Sequence, residues 1–172
     1  TEVDYKGGSG FTSLDRGTYD ITVDAITPAG DDTVISVADA NLAADTDYTV
    51  LAIGKVANIT LAPLVIANPD TRVTSGQARA QVVHGAPDAP AVSVYVTAPG
   101  ADLAAATALG TFSFGEDLGP VEVPAGNYQI RVTLAGNPAA VVYDAGTVAL
   151  ANGADLLLVA VANTTTGPAP IT

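Results

Sequence analysis

The sequence predicts an all-β protein made of antiparallel β-sandwiches in tandem. Three observations carry this. Several short stretches alternate apolar and polar residues with a period of two, which suits a sheet with one wet face. Seventeen Gly and eleven Pro, with Asn and Asp, punctuate the chain at short intervals, as frequent tight turns require. Third, part of the sequence recurs at an offset of 109 residues.

In order along the chain, TYDITVD (18–24) places Tyr19, Ile21 and Val23 on one face and Thr18, Asp20, Thr22 and Asp24 on the other. TPAGDD (27–32) reads as a turn, and NLAADTDYTVLAIG (41–54) and NITLAPLVI (58–66) read as further strand material. NPDTRVTSGQ (68–77) is polar and reads as a linker. ARAQVVHGAPDAPAVSVYV (78–96) reads as strand, corner, strand. Only ADLAAATAL (101–109) has helical character, as one short helix or an irregular loop. YQIRVTL (128–134) alternates again, with Gln129, Arg131 and Thr133 on the solvent face, and AGNPA (135–139) follows as a turn. DLLLVAVA (155–162) is apolar throughout, which suits a central strand.

The repeat aligns Gly17, Tyr19, Ile21 and Val23 with Gly126, Tyr128, Ile130 and Val132. Gly10 falls on Gly119 and Tyr5 on Phe114. After a one-residue gap, Leu42 falls on Leu150 and Asp47 on Asp155. The expected organisation is a partial sandwich over 1–67, a linker over 68–77 and a second sandwich over 78–172. The first copy then lacks its opening strands, and the second is expected to stop short of its closing one. A sandwich short of strands exposes unpaired edges that invite pairing with another chain.

Composition narrows the function classes. Eighteen acids against six basic residues give a net charge of −12, so the cations that replace phosphate counterions are missing and nucleic acid is not the expected partner. Anionic membrane surfaces are disfavoured for the same reason. The longest apolar run, Leu156 to Ala162, is too short to span a bilayer. With no Cys, the chain has no disulfide, thiolate metal site or cysteine nucleophile. It also has no Met, so Thr1 is not a translation start, and the expectation is that a signal peptide, a longer protein or both preceded it.

His84 is the sole histidine and stands four residues before Asp88. Gly85, Pro87 and Pro90 exclude a helix between them. A metal site would need further ligands that no second His or Cys supplies. His84 therefore reads as a strand-end residue that donates a ring N–H to a carbonyl or to Asp88, with Asp88 closing an Asx-type turn. No Gly-x-Ser-x-Gly is present, and GGSG (7–10) lacks the Lys and helix of a phosphate loop. Asp31-Asp32, Asp45 with Asp47, and Glu116-Asp117 are the acids that structural calcium would use, although none fits the twelve-residue calcium loop. Tyr19 and Tyr128 read as core residues with hydroxyls bonded to nearby backbone. Tyr5, Tyr48, Tyr95 and Tyr143 remain as aromatics for a sugar platform, with no Trp beside them. No catalytic, cofactor-binding or metal residue is assigned.

The stretch 78–96, with its His and Pro-Asp-Ala-Pro turn, followed by FSFGE (112–116), VEVPAGNYQIRV (121–132) and the late LLLVAVAN strand, resembles the bacterial and archaeal family called domain of unknown function 4397. The resemblance covers nearly all of the second copy, and the first from about Tyr5 to Ile66 without the opening signature. It implies secreted or cell-envelope proteins, often tandem, with immunoglobulin-like or transthyretin-like sandwiches and no established activity. The expected role is a non-enzymatic structural module, such as a spacer, matrix or filament component, joined to copies of itself or to further repeats through strand edges. The alternative is an extracellular adhesion module for glycan or protein, using loops 85–91 and 98–108.

Overall fold

The computed structural model describes residues 4, 6–27, 30–55 and 61–162. All regular structure in this set is β-strand, in several sheets whose pairings are antiparallel but for one, and no helix long and apolar enough to cross a membrane is among them. The chain divides into two compact units, Thr1–Thr71 and Arg72–Thr172, so the break falls inside the polar 68–77 stretch.

The strands described in unit 1 form two pairs. β1 (Gly17–Thr27) pairs with β2 (Gly30–Leu42), and β3 (Thr46–Ile53) pairs with β4 (Ala62–Pro69), both antiparallel. The expected alternation holds in β1: Tyr19, Ile21 and Val23 are half-buried, and the four residues between and beside them are exposed. The core of this unit is thin. Its buried apolar side chains among the described residues are Ile35, Ile53 and Ile66, while Phe11, Leu14, Ile26 and Val65 are exposed.

The described residues of unit 2 hold seven strands: β5 (Gln77–His84), β6 (Val92–Thr97), β7 (Gly110–Phe112), β8 (Asp117–Pro124), β9 (Gly126–Leu134), β10 (Asn137–Leu150) and β11 (Asp155–Ala160). One sheet has the order β10-β9-β6-β7 and the other β11-β5-β8. Val92, Val94, Phe112, Ile130 and Val132 from the first sheet meet Val82, Leu118 and Leu158 from the second in one core, so the two sheets face each other as a sandwich. β-branched residues suit this pleated, two-layer packing, and each fully buried Val or Ile contributes roughly 1.5–3 kcal/mol.

The chain crosses between the sheets at four places: residues 85–91 (β5 to β6), 113–116 (β7 to β8), Ala125 (β8 to β9) and 151–154 (β10 to β11). By contrast, β9 and β10 form a hairpin through Ala135 and Gly136, where a φ of 72° favours glycine.

One open alternative is decided and one local expectation changes. Residues 101–109 take the irregular-loop form, with turns and no helix, because Asp102 and Pro99 favour local backbone turns and Gly100 sits at positive φ. The polar face of β9 is covered: Thr133 is 0% exposed and Arg131 half-buried, since the loop after β6 folds over that face. Finally, β11 is an edge strand among the described residues and runs parallel to β5, its single described partner. The chain reaches β11 by crossing from the other sheet, so it does not return as a hairpin.

Candidate functional site

The strongest constellation is the corner at His84, where two of the sheet crossings meet. The His84 ring is 0% exposed. Its Nδ1 accepts the Ala86 N–H at 3.4 Å, so Nε2 carries the proton and donates to the Pro90 carbonyl at 3.1 Å. The ring therefore spans the 85–91 crossing from end to end. Phe112 and Phe114 stand edge-on to it, each with ring centroids 6.5 Å away.

The same residue is tied through its backbone. Its N–H donates to the Glu116 carbonyl at 3.0 Å, and its carbonyl accepts the Gly115 N–H at 2.8 Å. Gly115 has a φ of 81°, which the 113–116 crossing needs to turn back on β5. Glu116 holds that turn by accepting the Ser113 N–H at 2.7 Å. Next in the chain, the Gly85 N–H donates to Ala160 of β11 at 2.8 Å. The His, the Pro-Asp-Ala-Pro turn and Phe-Ser-Phe-Gly-Glu are thus one fastening. Asp88 is exposed, and the ring nitrogens bond to Pro90 and Ala86. The arrangement satisfies both ring nitrogens locally, leaving neither turned toward a cleft.

Among the described residues no three His, Asp or Glu side chains gather to hold a metal ion. Glu116 serves its own turn, and Asp117 accepts from the Gln81 amide at 2.7 Å. Asp45 sits at a φ of 53° and its carbonyl accepts the Asp70 N–H, which pins the turn before β3.

Tyr19 and Tyr128 make matching contacts. The Tyr19 hydroxyl donates to the Asp15 carbonyl at 2.7 Å, and the Tyr128 hydroxyl to the Pro124 carbonyl at 2.8 Å, in each case four residues back. Tyr95 is buried, and Tyr48 is tied to the turn at Ala43, whose N–H it accepts at 3.0 Å. Tyr5 lies outside the described residues. Tyr143 is partly exposed at the rim of an apolar cavity of about 270 Å³. That cavity lies between β10 and β11, with Val148, Leu158 and Ala160 in its wall.

Two polar clusters escaped the sequence reading. Arg79, almost buried, makes a two-pronged ion pair with Asp155, which stands directly opposite it on β11. Glu122 faces Arg79 from β8, and the Thr74 hydroxyl and N–H hold its carboxyl below the usual value. On the other sheet, the Arg131 Nη2 donates to Thr97 Oγ1 at 3.0 Å and to the Ala101 carbonyl at 2.6 Å, and Gln129 accepts the Gly100 N–H at 2.8 Å. These bonds pin the 98–108 loop. The Gln129 amide also donates to both Asp144 oxygens, and with the Gly146 N–H it holds that carboxyl below its ordinary range. The sole sequence signal for either cluster was a basic residue in a chain that has six.

The strand edges complete the site. β9 carries β10 on one side and β6 on the other; β1 carries β2 and, among the described residues, nothing opposite. β11 pairs with β5, whereas β3 pairs with β4. No curated protein and no solved structure matches the chain significantly. A family model does match, over residues 1–95, through unit 1 and on across β5 to Tyr95 in β6; the matched stretch ends before Phe-Ser-Phe-Gly-Glu. It covers more than half of the 172 residues, and the chain belongs to the family described as a domain of unknown function, DUF4397.

Proposed function

We propose that this protein is a non-enzymatic structural module of the cell exterior, a spacer, matrix or filament component that joins other modules through its strand edges. Its two units are two copies of one immunoglobulin-like sandwich. The repeat offset, the paired Tyr19 and Tyr128 contacts and the shared starts of β1 and β9 support that reading. The observation that carries the role is the edge of β1, bare among the described residues where its counterpart β9 bears β6. Bare edges are templates for pairing. The acidic, Lys-poor composition supports an exterior location.

The test is the mass of the intact chain in solution over a wide concentration range. Reversible assembly beyond the 17.1 kDa chain is expected, weakened when Val23 is replaced by Asp. A chain that stays monomeric at millimolar concentration would refute assembly through these edges.

A further inference from the structure

We infer that the open edges of β1 and β3 accept a joined strand pair with the chemistry of β5 and β6, supplied by another module of the family. This deepens the reading above and rests on its equivalence of the two units.

Unit 2 shows how such a pair seats. β6 lies antiparallel on β9 with Val92 opposite Leu134, Val94 opposite Val132 and Val96 opposite Ile130. At the offset of 109, the donor valines fall opposite Ala25, Val23 and Ile21 of β1. Those three residues are half-buried, whereas Ile130 and Val132 are buried. Ile130 and Val132 have β6 beside them and Val82, Leu118 and Leu158 of the facing sheet packed in the same core, while β1 has no β6-type strand beside it among the described residues. The other half of the pair has its own template, since β5 lies parallel to β11, the counterpart of β3.

The hairpins also match in detail. Tyr19 faces Ala40 in β2 and Tyr128 faces Val148 in β10, and the register slips between Tyr19 and Ile21 in one pair and one position later, between Gln129 and Arg131, in the other. The acceptor side of unit 1 is therefore built to the same pattern. The family match adds an independent observation: it runs through all four strands of unit 1 and on through β5 into β6. The acceptor strands and the donor type are thus joined in one matched stretch. The chain's own β5 and β6 are occupied by β11 and β9, so the donor is a second such pair.

The experiment adds a second copy of residues 76–116 ahead of Thr1 in the full chain and follows amide hydrogen exchange. Amides of β1 and β3 should exchange at least ~100-fold more slowly than in the parent, as amides in fully paired core strands do. The same extension carrying Val92→Asp, Val94→Asp and Val96→Asp in the added copy should leave parental rates. An intact extension that changes neither strand by more than about threefold overturns the inference, because newly paired strands must show protection. The two readings fail separately. If the parent is monomeric yet the extension protects β1 and β3, the donor assignment stands and self-assembly falls. If the parent assembles but the extension neither protects these strands nor dissolves the assembly, the donor assignment falls alone.

Discussion

Replacing His84 by Ala should destabilise unit 2 severely. The ring is fully buried, bonded at both nitrogens and packed edge-on to two phenyl rings. Removing it leaves the Pro90 carbonyl and the Ala86 N–H short of partners, at about 1 kcal/mol each. Emptying the space costs about 2 kcal/mol more, at the low end for large-to-small core changes. The combined loss of about 4 kcal/mol is a large part of a domain's total stability and corresponds to a drop in Tm of about 20 °C for a unit this size. His84→Phe separates the terms: it keeps the volume and the ring contacts but neither hydrogen bond, so about 2 kcal/mol should be lost. Urea unfolding followed by far-UV circular dichroism gives both values from the shift in midpoint at constant slope. A loss below about 1 kcal/mol for His84→Ala, the size of an ordinary surface change, would show that the ring fastens nothing.

Other outcomes follow from the polar clusters and the cavity. The folded Asp144 carboxyl titrates below its free value, so its contribution is complete above about pH 4 and is lost as pH falls through the lower folded value. Unfolding midpoints of the parent should therefore fall more steeply below pH 4 than those of Asp144→Asn, and parallel curves would refute the contribution. Asp155→Asn leaves the near-buried Arg79 guanidinium with a weaker partner; because Asp155 is 51% exposed, the cost should be about 1 kcal/mol, far less than for a fully buried pair. Ala160→Val pushes two carbons into the cavity between β10 and β11 and should raise stability by about 1 kcal/mol. Thermal melts that show a loss instead would mean the cavity wall does not admit the added methyls.

How much of this was legible in the sequence depended on range. Alternation in β1, the Tyr hydroxyl contacts and the His84-to-carbonyl bond are made within a few residues, so residue type and spacing reveal them. Of the two acceptors open to the ring, a carbonyl or Asp88, the carbonyl is the one it reaches, at Pro90. Arg131 and Thr133 read as solvent-facing because they alternate with Ile130 and Val132. The loop that covers them returns from about thirty residues away. Arg79 and Asp155 are 76 residues apart and meet only through the parallel register of β5 and β11. β11 reads as central because it is apolar on both faces; among the described residues it has β5 on one side alone, and sheet order is a non-local property that such a run does not encode.

The corner at His84 and the open edges of unit 1 are two sides of one geometric problem. β1 and β3 belong to separate two-stranded sheets, and each of these two strands has one unpaired side among the described residues. A donor hairpin keeps its strands in one sheet and could extend only one of them. The element that fills both is a strand pair whose connection crosses from sheet to sheet, as 85–91 does between β5 and β6. That crossing is costly to hold, since its backbone groups leave the ladder and must be satisfied elsewhere. His84 supplies this by bonding Ala86 and Pro90 with its ring while Gly115 and Glu116 take its backbone. A buried histidine that looks catalytic by its rarity is here the part that keeps two strands pointed at two different sheets. Loosening it should therefore impair a β5–β6 donor as much as it impairs unit 2 itself.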